Sequence, residues 1–174
     1  MLAAAGWQGR AEDGPLLDPC CGAGTIAIEA AQLACGIAAG SLRSFAFERQ
    51  LAFQPLRAAW QQLRAAARAR VHAPAVPVFA GDISFRMTDF ATRNAERAGV
   101  AHAIEFKTAD ALQRMPPAAA GTLIMNPPYG ERIAPKGQGQ GQALAREQFE
   151  DGASSAAFFA ALSAHWKRHY SGWS

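Results

Sequence analysis

Two short stretches of the chain carry residues whose order suggests chemistry. The first is "IMNPPYGERI", residues 124–133. An apolar run meets Asn126, and Pro127, Pro128 and Tyr129 follow. Neither proline can donate a backbone N–H, so a strand must end near Asn126 and the chain turns a stiff corner. The corner offers an amide oxygen, a rigidly held Pro127 carbonyl and an aromatic ring. Two acceptors aimed at the hydrogens of a planar amine favour its pyramidal form and the positive charge that develops as it attacks an electrophile. A ring beside them can stack on a base and hold it. The same composition also suits a plain rigid turn. Glu131 and Arg132 either shape the neighbouring pocket or are solvated.

The second stretch is "DPCCGAGT", residues 18–25. Gly22 and Gly24 permit positive φ and let a ligand approach the backbone. A dinucleotide site would need a third glycine and an acid about 20 residues on. Ala27 stands at the third position, and Glu48 lies in "FAFER", which does not read as a strand end. No Gly-Lys-Ser/Thr follows, which excludes a P-loop. S-adenosylmethionine (SAM) fits better, since it needs carboxylates for its amino group and ribose rather than a phosphate site. Asp18 suits the methionyl amino group, with Cys20, Gly22, Gly24 and Thr25 along the loop. Asp82 suits the ribose hydroxyls, Ile83 the adenine face, and Asp110 with Ala111 the adenine amino group. Asn126 closes the set, next to the reacting centre.

The elements that must position these residues alternate. Leu16-Leu17 reads as a strand, and residues 25–35 as an Ala-rich helix ended by Gly36. "SFAFERQLAF" (44–53) reads as irregular or short extended structure, with Phe45 and Phe47 expected in the core rather than at the cofactor. Leu56, Trp60, Leu63 and Ala67 recur at helical spacing, with Arg57, Arg64 and Arg68 on another face. Strands follow at 76–82, 103–110 and 121–126, with a helix at 86–99 whose inner face is Met87, Phe90, Ala91 and Ala95. A last helix, 154–170, is predicted to be capped and to turn Phe158, Phe159, Leu162 and Trp166 inward, with Lys167 and Arg168 near its negative end. The alternation predicts an α/β fold with a mainly parallel sheet. Ligands of such sheets bind beyond the carboxyl ends of the strands. Asp18, Asp82, Asp110 and Asn126 each close an apolar run there.

The remaining features narrow the class. The chain has 174 residues, half of them apolar and 18% charged, which suits one soluble domain. No apolar run is long enough to span a membrane, and the first residues lack the pattern of a signal peptide. A net charge of +3, mostly from arginine, leans toward an anionic partner or reflects codon usage. Cys20, Cys21 and Cys35 form no C-x-x-C pair, which points to a reducing compartment, the cytoplasm. The scattered histidines, including His165 and His169, lack a third ligand, so no metal is expected.

"DPCCGAGTIAIEAA", "FAFER", "GDISFRMTDFATRNAERAGV" and "IMNPPYGERI" together resemble the class I SAM-dependent RNA methyltransferases of the THUMP-containing group. The likeness is greatest to the large-subunit ribosomal RNA guanine-N2 methyltransferases, whose members are often labelled N6-adenine-specific DNA methylases because they share the N-P-P-Y motif. It covers roughly residues 5 to 173, and "FAFER" is the stretch that narrows it. The resemblance implies a Rossmann-like fold with helices on both faces of the sheet, SAM as cofactor and RNA as substrate. It also implies that residues 1–174 form a single, partial catalytic domain lacking its last strands. The THUMP domain of full-length members has no counterpart in the chain. N-P-P-Y specifies the reacting group and not its carrier: guanine N2, adenine N6 and a protein glutamine amide all suit it. A SAM-binding fragment without activity is the remaining alternative.

Overall fold

A computed structural model describes residues 1–127 and 152–174; of residues 152–155 only the helical backbone is described. Among the described residues four parallel strands form the sheet: β1 (Leu16–Asp18), β2 (Val78–Asp82), β3 (Ile104–Thr108) and β4 (Thr122–Leu123), in the order β3-β2-β1-β4. The chain therefore builds outward from β1 to β3 and then returns to the other side of β1. That reversal is the switch point at which doubly wound sheets open a crevice. The helices among the described residues are α1 (Thr25–Ala34), α2 (Arg57–Arg68), α3 (Phe85–Arg97) and α4 (Gly152–His169).

One face of the sheet meets helices at close range because the contact residues are small. Ala27, Ala30, Ala31 and Ala34 of α1 are fully buried, as are Ala91 and Ala95 of α3. They share a core with Leu16, Val78, Ala80 and Ile104. Trp7 joins this core and its indole N–H donates to the carbonyl of Gly14 at 3.1 Å. Successive strand residues alternate between faces, so Leu17 and Gly81 turn to the opposite side. There the Arg114 side chain crosses β2 at Gly81. The Arg114 carbonyl accepts from the Tyr170 hydroxyl at 2.9 Å and contacts the His165 ring at 2.8 Å, which ties the end of α4 to this face.

Several expectations change. "FAFER" is not extended: Ala46–Arg49 and Leu51–Leu56 form consecutive 3-10 turns. The Glu48 carboxylate accepts the N–H of Phe45 at 2.9 Å, which caps the first turn locally and overrides the strand-like alternation of Phe and Ala. Phe45 and Phe47 are outside the sheet's core; with Phe53 and Trp60 they form a separate aromatic cluster. α2 is helical as predicted, yet none of its residues is buried, and Leu56 and Leu63 are more than half exposed. In α3 Thr88 takes the inward place expected of Phe90, which is exposed. The Thr88 hydroxyl hydrogen-bonds Thr108 at 2.7 Å, so a polar pair joins α3 to β3. In α4 Leu162 is buried, Phe158 and Trp166 are half-buried, and Phe159 turns outward. Whether Ser154 caps α4 lies outside the described side chains.

Residues 173–174 lie alongside β4. Trp173 bridges Gly121 in parallel, Leu123 donates to the Ser174 carbonyl at 2.9 Å, and Ser174 donates back to Gly121 at 3.0 Å. β4 is thus paired on both sides.

Gly81 has a packing reason to be glycine. A Cβ there would stand 2.8 Å from the Lys107 carbonyl oxygen and collide with the Arg114 guanidinium. Gly81→Ala is expected to destabilise the fold by about 1–3 kcal/mol, the usual cost of overpacking, read as a lower urea midpoint. An unchanged midpoint would contradict this packing.

Candidate active site

The register of the sheet sets the height of each polar strand end. Leu16 and Leu17 pair with Val78 and Phe79 on one side and with Thr122 and Leu123 on the other, and Asp18 pairs with Ala80. Asp82 pairs with Thr108, and Asp110 comes two residues later. At about 3.3 Å per residue, Asp82 stands roughly 7 Å further along the strand direction than Asp18. The carboxylates form a staircase from the switch point toward β3. Asn126 closes the β4 side, exposed, with Pro127 half-buried after it. Pro128, Tyr129, Glu131 and Arg132 lie outside the described residues.

The glycine loop is held by backbone bonds and by one carboxylate. Cys21 donates to the Gly81 carbonyl at 2.7 Å, extending the strand pairing past β1. Asp82 Oδ2 accepts the Gly22 N–H at 3.1 Å, and Oδ1 accepts the Ser84 N–H at 2.9 Å. The Asn94 amide of α3 donates to the Ala23 carbonyl at 2.7 Å. Gly22 and Gly24 both have positive φ but for different neighbours. A Cβ at Gly24 would meet the Ala91 Cβ at 3.0 Å, so this glycine lets α3 pack on the loop. A Cβ at Gly22 would meet nothing within 4 Å, so this side of the loop is open to a ligand. α1 starts at the exposed Thr25 with no side-chain cap, and its first N–H groups face the same turn.

The charges around the loop are mostly negative. Asp18 is 1% exposed and, among the described residues, accepts a long 3.3 Å bond from the Cys20 N–H. Burial, and secondarily the charge of Asp82, push its carboxyl up to about 7. The Cys20 thiol is pushed up to about 12, by burial first and then by Asp18, Asp82 and Asp110. Cys21 is likewise pushed up to about 12, chiefly by burial. Neither cysteine is a thiolate nucleophile at neutral pH.

Asp110 Oδ1 accepts the Leu112 N–H at 2.9 Å, and Ala111 beside it is buried. Ile83, by contrast, is 62% exposed and presents an apolar face next to Asp82. The structure thus gathers Asp18, Cys20, Gly22, Gly24, Thr25, Asp82, Ile83, Asp110 and Ala111 along the carboxyl ends of β1 to β3. Among the described residues no cluster of His, Cys, Asp and Glu is arranged to hold a metal ion, and no helix is long and apolar enough to cross a membrane.

Arg114 was not singled out by sequence reasoning. It is 5% exposed, and its Nη1 has no hydrogen-bond partner among the described residues. Its charge favours ionised Asp18, while burial lowers its own proton affinity. The available signal was Gly81, a glycine inside a strand, which marks a close approach. Asn94 was also missed, because nothing in a helical pattern distinguishes an amide that holds a distant loop.

Comparison with known proteins places this geometry. The family model described as the RMKL-like methyltransferase domain matches residues 1–155. Two relatives named ribosomal RNA large subunit methyltransferase K/L, from Shewanella baltica (strain OS195) and Shewanella loihica, are 48% and 47% identical over 138 residues, 76% of the chain. The chain spans 19% of the length of these relatives. Among solved structures, SMU.472, described as a candidate methyltransferase and complexed with SAH, aligns with 99% of the chain and 40% of its own (TM-score 0.79, 25% identity). A Listeria monocytogenes protein described as an N6-adenine-specific DNA methylase predicted from sequence aligns with 92% of the chain and 38% of its own (TM-score 0.73, 29% identity). The parallel sheet with its helices is a Rossmann-like fold, and the chain belongs to the RMKL-like methyltransferase domain family.

Proposed function

We propose that this chain is a single catalytic domain that binds SAM at the strand ends and methylates the exocyclic amine of a nucleobase, guanine N2 of 23S ribosomal RNA. One observation carries the reading: Asp18 and Asp82 both accept N–H groups of a glycine loop whose Gly22 side is open, and Asp110 follows β3 at the same edge of the sheet. Such a site suits a ligand with a cationic amino group and neutral hydroxyls. The names of the Shewanella relatives support ribosomal RNA as substrate, and the three free cysteines suit a reducing compartment, the cytoplasm. Family membership favours this over a binding fragment.

SAM, when bound, supplies a methyl group on a positively charged sulfur. Asp18 would hold its amino group, and the uncapped first turn of α1, opened by Thr25, its carboxylate. Each Asp82 oxygen already accepts one N–H and keeps a further lone-pair direction for a ribose hydroxyl. Ile83 would lie on the adenine, with Asp110 and Ala111 at its edge. Asn126 Oδ1 and the Pro127 carbonyl would accept the two hydrogens of the target amine as its lone pair turns toward the methyl group. Pro128 would stiffen that corner and Tyr129 would stack on the base. No strong base is required, because the nitrogen becomes acidic only as the new bond forms. The base must leave its stack to reach the corner.

Three outcomes test this reading. Incubated with methyl-labelled SAM, the chain should label undermethylated ribosomal RNA and neither duplex DNA nor a release-factor protein. Label in DNA alone would overturn the substrate assignment. Asn126→Ala should abolish transfer with SAM affinity little changed. Asp82→Ala should weaken SAM about 10- to 100-fold, the scale of lost charge-assisted hydrogen bonds.

Asp18 adds a pH dependence. Its carboxyl must be ionised to hold a cation, and in the free protein it titrates at about 7. SAM binding measured by calorimetry should therefore weaken roughly eightfold from pH 7.5 to pH 6, and Asp18→Asn should flatten that profile. Stability of the free protein should move the opposite way. The folded state holds this proton more tightly than the unfolded chain, so the contribution is full below the ordinary carboxylate range and is lost as pH rises through about 7. A pH-independent affinity would contradict the role of Asp18.

A further inference from the structure

Residues 40–70 form an arm that the methyl-transfer site does not use. It leaves the C-terminal end of α1, and its base is pinned where the His72 N–H donates to the Cys35 carbonyl at 3.0 Å. Gly40–Arg43 then share a cavity of about 390 Å³ with Glu29 and Gln32, so the chain turns back along the outer side of α1. The arm is held together by its own rings. Phe45 stacks on Phe47 with centroids 5.4 Å apart, and Trp60 meets both edge-on at 5.6 and 5.2 Å.

Two independent features of the arm point to one kind of ligand. The first is charge. From Arg49 to Gly81 the chain contains Arg49, Arg57, Arg64, Arg68 and Arg70 and no Asp or Glu. Arg49, Arg57, Arg68 and Arg70 are exposed and have no ion pair among the described residues; Arg64 stands 3.7 Å from Glu48. The second is a cavity of about 260 Å³ lined by Glu48, Phe53, Arg57, Trp60, Gln61 and Arg64. It lies below the range of about 300–1,000 Å³ typical of drug-sized ligands. Rings and guanidinium planes can sandwich a flat heterocycle, and Glu48 and Gln61 can read its edge. The exposed, unpaired arginines of the arm favour an anionic strand over an apolar protein face.

We propose that this arm is a second RNA contact: the cavity takes one unpaired base of the substrate, Arg57 at its rim takes an adjacent phosphate, and Arg68, about 16 Å away at the other end of α2, takes a phosphate further along the strand. The inference rests on the methyltransferase reading for the choice of RNA. It assigns α2 a role that explains why the helix carries no buried residue.

The test uses the whole 174-residue chain and a fluorescent single-stranded oligoribonucleotide, with anisotropy followed across salt concentration. Arg57→Gln/Arg68→Gln should bind about tenfold more weakly at low salt. Its slope against log salt should be smaller by roughly 1.4, the counterions of two phosphates. SAM affinity should not change. Ultraviolet cross-linking should place an RNA adduct on the segment from Phe53 to Arg64. Wild-type RNA binding with the same affinity and slope in the double variant, and adducts elsewhere, would overturn the arm while leaving methyl transfer at Asn126 intact. Label entering DNA alone would instead overturn the reading of the enzyme. A dimer in the same samples that Leu56→Ser/Leu63→Ser dissociates, with RNA binding unaffected, would assign the face to a second copy and overturn the proposal.

Discussion

The Asp82 carboxylate is the joint on which the site depends. Its two oxygens accept the N–H groups of Gly22 and Ser84, so one side chain at the end of β2 fixes the glycine loop after β1 and the entry to α3. The Cys21–Gly81 backbone bond sets the same spacing, and Asn94 holds the loop from the helix side. These contacts need the β1–β2 register to be right, because a slip of one residue would turn Asp82 to the other face. The loop is therefore organised before any ligand arrives, which lowers the ordering cost of binding. Gly24 completes the arrangement by admitting Ala91 of α3, while the side of Gly22 stays open.

The electrostatics of the site oppose the fold that carries it. A nearly fully buried Asp18 lies near Asp82, and Arg114 supplies a buried positive charge nearby whose Nη1 has no partner among the described residues. Both groups are raised in free energy by desolvation, Asp18 as an anion and Arg114 as a cation. A core built for stability would avoid such groups. Here the imbalance is what a cationic ligand would correct, so binding and ionisation of Asp18 are linked. The alanine-rich packing of α1 and α3 gives this part of the sheet a close-packed support.

Much of this was legible in the chain because strand ends are punctuated. Asp18, Asp82, Asp110 and Asn126 each follow an apolar run, and a parallel sheet necessarily brings such ends to one edge. What could not be read was which surface covers which. Leu56, Trp60 and Leu63 have helical spacing, and α2 is a helix, but periodicity does not say whether a core lies beneath it. "FAFER" alternates like a strand, yet the local bond from Phe45 to Glu48 decides for a tight turn. Phe90 looked like a core residue, and the Thr88–Thr108 hydroxyl pair took the inward place instead. Arg114 was invisible because its significance arises only from Gly81 on a strand distant in sequence. Asn126 lies three residues past the end of β4, whereas Pro128 and Tyr129 lie outside the described residues.

The central claim is that the carboxyl edge of β1 to β3 is a SAM site facing Asn126. A crystal structure of the chain with S-adenosylhomocysteine, the demethylated product, tests it most directly. The account predicts ribose hydroxyls within hydrogen-bond distance of Asp82, about 2.5–3.0 Å, the amino group toward Asp18, and the sulfur facing Asn126. Density for the ligand elsewhere, or with its ribose turned away from Asp82, would contradict it.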